Sequence, residues 1–316
     1  MNLKNIRMII KRGEILEHEP MKQHTSFRAG GAARYLIRPA SLKELAGLVR
    51  YLCNNQIPYF VLGNGTNLLV SDAGYEGCII DLGKHDGTEF TMLGIDDGTD
   101  AETACGEGEI LFDAGAGCLL SSVGSFARKF SASGMEELFG IPGCIGGAAV
   151  MNAGAYGREM KDLIRGVTAV SPAGEIKKLS REELRFGYRS SSLMEEGDIV
   201  ARVELLLHKG DPERIQERMD EVSRKRKEKQ PLEYPSAGST FKRPEGQFAG
   251  ALIEAAGLKG YGVGGAQVSE KHAGFIINRD HASASDIYRL IAEVQEKVEA
   301  HSGIHLEPEV RFLGTF

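Results

Sequence analysis

Three polar residues stand where a side chain could move a proton or hold a carboxylate. Ser239 follows a glycine in Ala237-Gly238-Ser239-Thr240-Phe241-Lys242-Arg243-Pro244. A hydroxyl in that setting is sterically open and can donate a proton. Arg189, in Gly187-Tyr188-Arg189-Ser190-Ser191, carries the planar fork that grips a carboxylate with two hydrogen bonds. Glu309, in Leu306-Glu307-Pro308-Glu309-Val310-Arg311-Phe312, is placed where burial at a strand end can tune a carboxyl as an acid. No G-x-S-x-G elbow surrounds Ser239, which disfavours a serine nucleophile. Taken singly, each motif is more simply read as structural.

A second kind of chemistry is written in glycine. The chain has 40 glycines in 316 residues, far above ordinary usage, and they cluster without a period. The densest cluster is Gly140-Ile141-Pro142-Gly143-Cys144-Ile145-Gly146-Gly147-Ala148-Ala149-Val150-Met151-Asn152-Ala153-Gly154-Ala155-Tyr156-Gly157. Such a run has too little side-chain area to build its own core. Something flat and extended must pack against it, and bare backbone lets N–H groups approach a pyrophosphate joined to an aromatic ring system. Tight backbone packing in a structural loop is the alternative. A weaker cluster is Leu62-Gly63-Asn64-Gly65-Thr66-Asn67-Leu68. A dinucleotide fingerprint needs a third glycine and then a helix. Here Leu68 stands in that place and a strand follows, so that reading fails. The loop can still offer N–H groups and a hydroxyl to phosphate oxygens, or be an ordinary hairpin turn.

The elements that must hold these motifs alternate between strand and helix. Residues 33–38 read as a strand. Ser41, with Glu44 three residues on, predicts a capping box for a helix whose apolar face is Leu42, Leu45, Leu48, Val49 and Leu52. Strands follow at 59–62 and 68–70. The acidic stretch 86–109, with the turn signal Asp96-Asp97-Gly98, predicts an exposed hairpin without chemistry. A helix is predicted over 119–133, stopping at Gly134. Next come a hairpin about Ser171-Pro172-Ala173-Gly174, a short helix capped by Ser180 and Glu183, and a strand over 199–208. Asp211 with Pro212 predicts a helix running to about 229, and a domain boundary at its start. A helix near 247–256, strands near 263–268 and 274–278, a helix over 285–300 and a strand over 306–313 complete the chain. The fold class is α+β or α/β with two domains.

Composition narrows the function. Apolar residues make up 42%, charged residues 26%, and the formal net charge is −6. That balance favours neither a general nucleic-acid binder nor a membrane-surface protein. No apolar run reaches a membrane span, and the first twenty residues lack a signal-peptide core, so a cytoplasmic protein is expected. Cys53, Cys78, Cys105, Cys118 and Cys144 show no C-x-x-C spacing, which predicts reduced, mostly buried thiols. His301 and His305 have helix spacing, but Gly303 lies between them without an H-E-x-x-H pattern, so no metal is expected.

In order along the chain, His24-Thr25-Ser26-Phe27-Arg28 with Gly30-Gly31, the 62–70 loop, Gly115-Ala116-Gly117, the 140–157 run, Gly187-Tyr188-Arg189, the 237–244 segment and Pro308-Glu309-Val310-Arg311-Phe312 resemble the UDP-N-acetylenolpyruvoylglucosamine reductase family. The resemblance runs from about residue 20 to the C-terminus. It implies a vanillyl-alcohol-oxidase (PCMH) type FAD-binding fold of two α+β subdomains, at about 21–84 and 85–210, after an N-terminal extension of 1–20. A C-terminal α+β substrate domain would occupy 211–316, its last strand returning to the active site. Gly63, Asn64, Gly65, Thr66, Asn67, Gly115, Ala116, Ile141, Pro142, Gly143, Gly146, Gly147, Ala153, Gly154 and Ala155 would hold FAD. NADPH would reduce the flavin, and UDP-N-acetylglucosamine enolpyruvate would then accept hydride. Arg189 and Glu309 would stabilise the developing enolate and Ser239 would protonate it. Tyr188, Lys229, Arg243 and His272 would touch substrate, although a solvated helix end also explains Lys229, and Arg243 and His272 replace amide residues of some members. Only residues 190–238 separate the arginine and serine motifs, which leaves no room for the tyrosine lid of the longer branch. A monomer acting on a small molecule is expected. The rival readings are another FAD-dependent oxidase of this fold and a non-catalytic nucleotide-sugar-binding module.

Overall fold

The computed structural model describes residues 3–83, 88–96 and 106–316. By packing, the chain divides into two compact units. One comprises Met1–Leu16, Leu36–Asn64 and Cys78–Arg224, the other Glu17–Tyr35, Gly65–Gly77 and Lys225–Phe316. The class is α+β in both.

In the first unit the helix Leu42–Asn54 buries Leu45, Leu48, Val49 and Leu52, the face expected from its spacing. Ser41 caps it, its hydroxyl accepting from Glu44 N at 3.3 Å. The other half of the capping box is absent. The Glu44 carboxylate is buried instead and accepts from the main-chain N–H groups of Arg12 and Ala40 at 2.8 Å, Lys11 at 3.0 Å and Gly13 at 3.2 Å. Burial pushes its pKa up, but the four donors outweigh burial and hold it below the usual carboxylate range.

The strand Tyr59–Leu62 pairs in parallel with Tyr75–Asp81, so the loop after it is not a hairpin turn. A larger antiparallel sheet has the strand order Ile176–Ser180, Ile164–Val170, Ile199–Lys209, Glu109–Gly115, Leu93–Asp96. Its central strand alternates, burying Val203, Leu205 and Leu207 between half-buried Arg202, Glu204 and Leu206. On the apolar face, Leu120, Val123, Leu138, Ile145 and Ala149 complete the core, each large side chain contributing roughly 1.5–3 kcal/mol. The hairpin about Gly174 forms with the expected register. Its turn is held by Arg50 Nη2, which donates to Gly174 O at 3.0 Å. The Leu93–Asp96 and Glu109–Gly115 strands of the acidic hairpin pair, while its expected turn at Asp97-Gly98 lies outside the described residues.

Two helices differ from expectation. Leu120–Lys129 stops short of Gly134, because Ser131 turns left-handed at φ 53° and Ala132–Ser133 joins the sheet beside His208 and Lys209. No helix follows Ser180. Glu183 Oε2 instead accepts from Ser180 N at 2.7 Å, and a short helix forms at Ser192–Glu196. The helix Pro212–Lys229 starts as expected, with Asp211 Oδ1 accepting from Glu213 N at 2.9 Å. The packing boundary falls inside it, after Arg224, because Ile215 and Met219 are buried and Arg218 Nε reaches Glu137 at 2.8 Å.

In the second unit the helix Ala284–Ser302 begins in a complete Ser283/Asp286 capping box and ends at left-handed Gly303. It buries Ile287, Leu290, Ile291, Val294 and Val298 in a core with Val268, Ile276, Phe241, Leu306 and Val310. The adjoining sheet has the order Gly262–Val263, Ala266–Val268, Ile276–Asn278. The expected strand over 306–313 is only Arg311–Leu313, paired in parallel with Leu68–Val70.

Candidate active site

The glycine-rich run is built around a short helix, Ile145–Val150. Its first turn is fixed from outside. Ile145 N donates to Cys118 O at 2.8 Å, Gly146 N to Ala116 O at 2.9 Å, and Gly143 O accepts from Leu120 N at 3.0 Å. A Cβ on Gly146 would lie 2.7 Å from Ala116 Cβ, so this glycine serves close packing. Gly147 is different, because it is exposed and its Cβ would meet no heavy atom within 4 Å. The helix therefore presents bare backbone to open space, the shape a flat phosphate-bearing ligand requires. Asn64 Nδ2 reaches Pro142 O at 3.4 Å, and a Cβ on Gly63 would lie 3.4 Å from Cys144 Cβ. The unit thus brings Gly63, Asn64, Ala116, Pro142, Gly143, Gly146 and Gly147 together. At Gly115 the demand for glycine comes from the fold itself, a Cβ there falling 2.4 Å from the Phe90 main chain. Beyond the helix, Ala153 N donates to Ala148 O at 2.8 Å, and Gly154–Ala155 pairs with Arg158–Glu159 in a two-residue hairpin.

Burial drives the neighbouring Cys118 thiol up to about 11, so it remains protonated and unreactive at neutral pH. Cys53, Cys78, Cys118 and Cys144 form no disulfide, and Cys105 lies outside the described residues.

Arg189 sits at the tip of a tight turn. Gly187 N donates to Ser190 O at 3.0 Å, and Ser190 N returns to Gly187 O at 3.4 Å. Arg189 itself is left-handed at φ 54°, a conformation that costs a non-glycine residue energy and is common at functional sites. Its guanidinium lies over the Tyr188 ring, 5.2 Å from the centroid. The turn's base is anchored by a residue the sequence reading missed. Asn152, fully buried, donates from Nδ2 to Gly187 O at 2.9 Å and to Glu159 Oε2 at 3.1 Å, and accepts from Lys161 N at 3.0 Å. The one local signal for it is an asparagine, tolerant of positive φ, inside a run of small apolar residues.

In the second unit Ser239 is exposed and follows left-handed Gly238 at φ 77°. Buried Thr240 fixes the segment, since its N–H donates to Gly274 O at 2.9 Å, its hydroxyl accepts from Ile276 N at 3.1 Å, and its carbonyl accepts from Glu309 N at 2.8 Å. Lys242 N donates to Glu307 O at 2.8 Å, and Lys242 pairs with the Glu307 carboxylate. Ser239 and Glu309 therefore come from adjacent, bridged segments. Asn67 holds the far side, with Nδ2 donating to Glu309 O at 3.0 Å and its own carbonyl accepting from Arg311 N at 3.0 Å. Gly65 turns at φ 62°, and a Cβ there would lie 1.9 Å from His24 O. Ser26 N donates to Gly65 O at 3.0 Å. Thr66, between them, is half-buried.

His272 Nδ1 accepts from Gly274 N at 3.1 Å, and its ring stands edge-on to Phe275, centroids 4.9 Å apart. Burial lowers its pKa, which leaves a neutral imidazole at pH 7. Arg243 lies 3.9 Å from the centroid of the exposed Phe248 ring. Lys229 is exposed at the last position of its helix.

Among the described residues no cluster of His, Cys, Asp and Glu could hold a metal ion, and no helix is long and apolar enough to cross a membrane.

Residues 33–180 match an FAD binding domain, and residues 230–313 match the C-terminal domain of UDP-N-acetylenolpyruvoylglucosamine reductase. A protein of that name from Caldanaerobacter subterraneus subsp. tengcongensis is 46% identical over 98% of this chain and 97% of its own. One from Agathobacter rectalis is 47% identical over 96% of this chain and 95% of its own. The crystal structure of the Thermus caldophilus reductase superposes with a TM-score of 0.77 at 37% identity, covering 96% of this chain and 99% of that one. With likeness at this level across both matched domains, the chain belongs to the UDP-N-acetylenolpyruvoylglucosamine reductase family.

Proposed function

We propose that Arg189, Ser239 and Glu309 carry the chemistry of an FAD-dependent reductase that converts UDP-N-acetylglucosamine enolpyruvate to UDP-N-acetylmuramate with NADPH, in peptidoglycan precursor synthesis. The reading rests on one observation above all. The same chain carries an FAD binding domain and this reductase's C-terminal domain, and in the latter Ser239 and Glu309 lie on bridged segments.

When bound, FAD supplies the hydride that NADPH provides and the β-carbon of the enol ether receives. The rest is work for the protein. Addition of hydride leaves the electron pair on the α-carbon, delocalised into the adjoining carboxylate. Arg189 answers that charge with a fixed bidentate cation. Glu309 donates a hydrogen bond or steadies the proton supply at the same charge. The Ser239 hydroxyl gives its proton to the α-carbon, completing the lactyl ether. A serine is a weak acid, but an enolic carbon is strongly basic, so the transfer runs downhill. Hydride and proton together saturate one double bond, and one NADPH is oxidised.

FAD would rest on Gly63, Asn64, Ala116, Ile141, Pro142, Gly143, Gly146 and Gly147, with Gly65, Thr66, Asn67, Gly115, Ala153, Gly154 and Ala155 completing the set. The open space over Gly147 supports this. Tyr188, Lys229, Arg243 and His272 would bind the UDP-sugar. The cation–π pair of Arg243 and Phe248 suits a side chain that must stay extended toward an anionic ligand. The functional division remains an FAD domain over 21–210 and a substrate domain over 211–316. The enzyme is a cytoplasmic monomer in this reading.

The test is the visible spectrum of the purified protein. A flavin band that NADPH bleaches, and that the enolpyruvyl substrate restores with stoichiometric product, is expected. A colourless protein that takes up no added FAD would sink the proposal.

A further inference from the structure

Asn152 is wholly buried, and both of its amide protons and its amide oxygen are engaged inside the first unit. Its two amide protons go to different elements, one to the carbonyl of Gly187 at the base of the Arg189 turn and one to the Glu159 carboxylate at the base of the Tyr156-Gly157 hairpin. Its oxygen accepts from Lys161 N. The residue after the turn is pinned as well, buried Ser191 donating its hydroxyl proton to Val150 O at 2.7 Å. The turn thus has a fixed base on both sides and a left-handed arginine at its tip. Buried hydrogen-bond networks of this kind rigidify what they hold.

We infer that Asn152 is the positioning residue for Arg189. It does not touch the reacting atoms. It sets the height and direction of the turn that carries the guanidinium, and through Glu159 it locks that turn to the neighbouring hairpin. The inference rests on the proposed role of Arg189 and goes beyond it. A bidentate fork works only within a narrow range of positions, and the strain at φ 54° persists only while the surroundings over-determine it.

The backbone at Asn152 is itself left-handed, at φ 43°. Asn152→Gly therefore removes the amide without straining the backbone. Asn152→Asp keeps the acceptor for Lys161 N but sets an oxygen against Gly187 O and the Glu159 carboxylate.

The experiment compares both variants with Arg189→Ala and with the Asn152→Gly/Arg189→Ala double variant. Bound flavin is read by absorbance, and the NADPH and enolpyruvyl half-reactions by rapid mixing. The expected result is normal flavin content and NADPH half-reaction for Asn152→Gly, with the enolpyruvyl half-reaction slowed about 10- to 100-fold, the scale of a small misplacement. In the Arg189→Ala background Asn152→Gly should cost at most about twofold more, as for residues acting in series. Multiplicative costs, or an unaffected enolpyruvyl half-reaction, would overturn the inference. So would loss of flavin in both Asn152 variants, which would make Asn152 part of the general scaffold. If Arg189→Ala itself reduces substrate at the normal rate, the role of Arg189 fails instead, and with it the premise.

Discussion

The main-chain N–H of Glu309 donates to the carbonyl of Thr240 at 2.8 Å, so the residue after Ser239 is bonded directly to Glu309. Neither side chain takes part in that bond. The two segments are therefore joined through their backbones, and the exposed Ser239 side chain takes no part in the join, so Ser239→Ala should leave this link intact.

Ser239→Ala should keep flavin reduction by NADPH within about twofold and slow reoxidation by the enolpyruvyl substrate about 10²- to 10⁴-fold, the usual range for a lost proton donor. Glu309→Gln should slow the same half-reaction by less. Single-turnover mixing of pre-reduced enzyme with substrate is the check. Equal rates for wild type and Ser239→Ala would remove the serine from the mechanism.

Adjacent glycines should respond with opposite signs. Gly146→Ala drives a methyl to 2.7 Å from Ala116 Cβ and should destabilise the protein by about 1–3 kcal/mol. Gly147→Ala meets nothing within 4 Å and should leave the flavin-free protein as stable or more stable by about 0.5–1 kcal/mol, since alanine suits a helix better. Yet Gly147→Ala should weaken FAD binding, because in the proposed site the methyl would occupy the cofactor's space. Melting of stripped protein with and without added FAD separates the two.

His272 is neutral in the fold, with a pKa that burial lowers from 6.5. The unfolded chain then binds more protons than the folded one between the lowered value and 6.5. Its contribution to stability is complete above that window and is lost as pH falls through it. Urea midpoints should drop between pH 7 and pH 5, and His272→Gln should flatten that drop. The carboxylates of Glu44 and Asp72, both held below their usual values against the opposing effect of burial, lose their contribution only at more acid pH.

Asp72 caps the helix Ala284–Ser302 from a distant part of the sequence. Oδ1 accepts from Ala284 N at 2.9 Å, and Oδ2 from Ser285 N at 2.8 Å and Ser285 Oγ at 2.7 Å. Asp72→Ala should cost about 1–2 kcal/mol, seen as a lower thermal midpoint with the NADPH half-reaction unchanged once folded.

What could be read from the chain, and what could not, divides by the distance over which each choice is made. Ser41, Gly174 and Pro212 signal local events, and the elements they punctuate formed where their chemistry required. The helix stop expected at Gly134 was displaced because Ala132–Ser133 is claimed by a strand whose partners are His208 and Lys209. Glu44 had four distant N–H groups to satisfy rather than one nearby. The loop at 63–67 looked like a possible hairpin because its real strand partners, Tyr75–Asp81 and Arg311–Leu313, lie elsewhere in sequence. For the candidate site, Ser239, Arg189 and Glu309 were each more simply structural when taken singly, and their proposed roles came from the family resemblance. Asn152 was not among them, because its importance lies in carbonyl and carboxylate partners that only the fold brings to it.

The pairing of Leu68–Val70 with Arg311–Leu313 bears on how the protein is made. Asn67 grips Glu309 across 242 positions of sequence, so on the ribosome the early strand emerges long before its partner is translated. Until then its edge is an open template for mispairing. The nascent chain can assemble much of the first unit as it emerges, while Glu309 reaches its bonded place only near the end of synthesis. In the proposed mechanism, catalytic competence is thereby tied to translation of the 309–313 segment, and a transcript cut short before it yields a chain without Glu309.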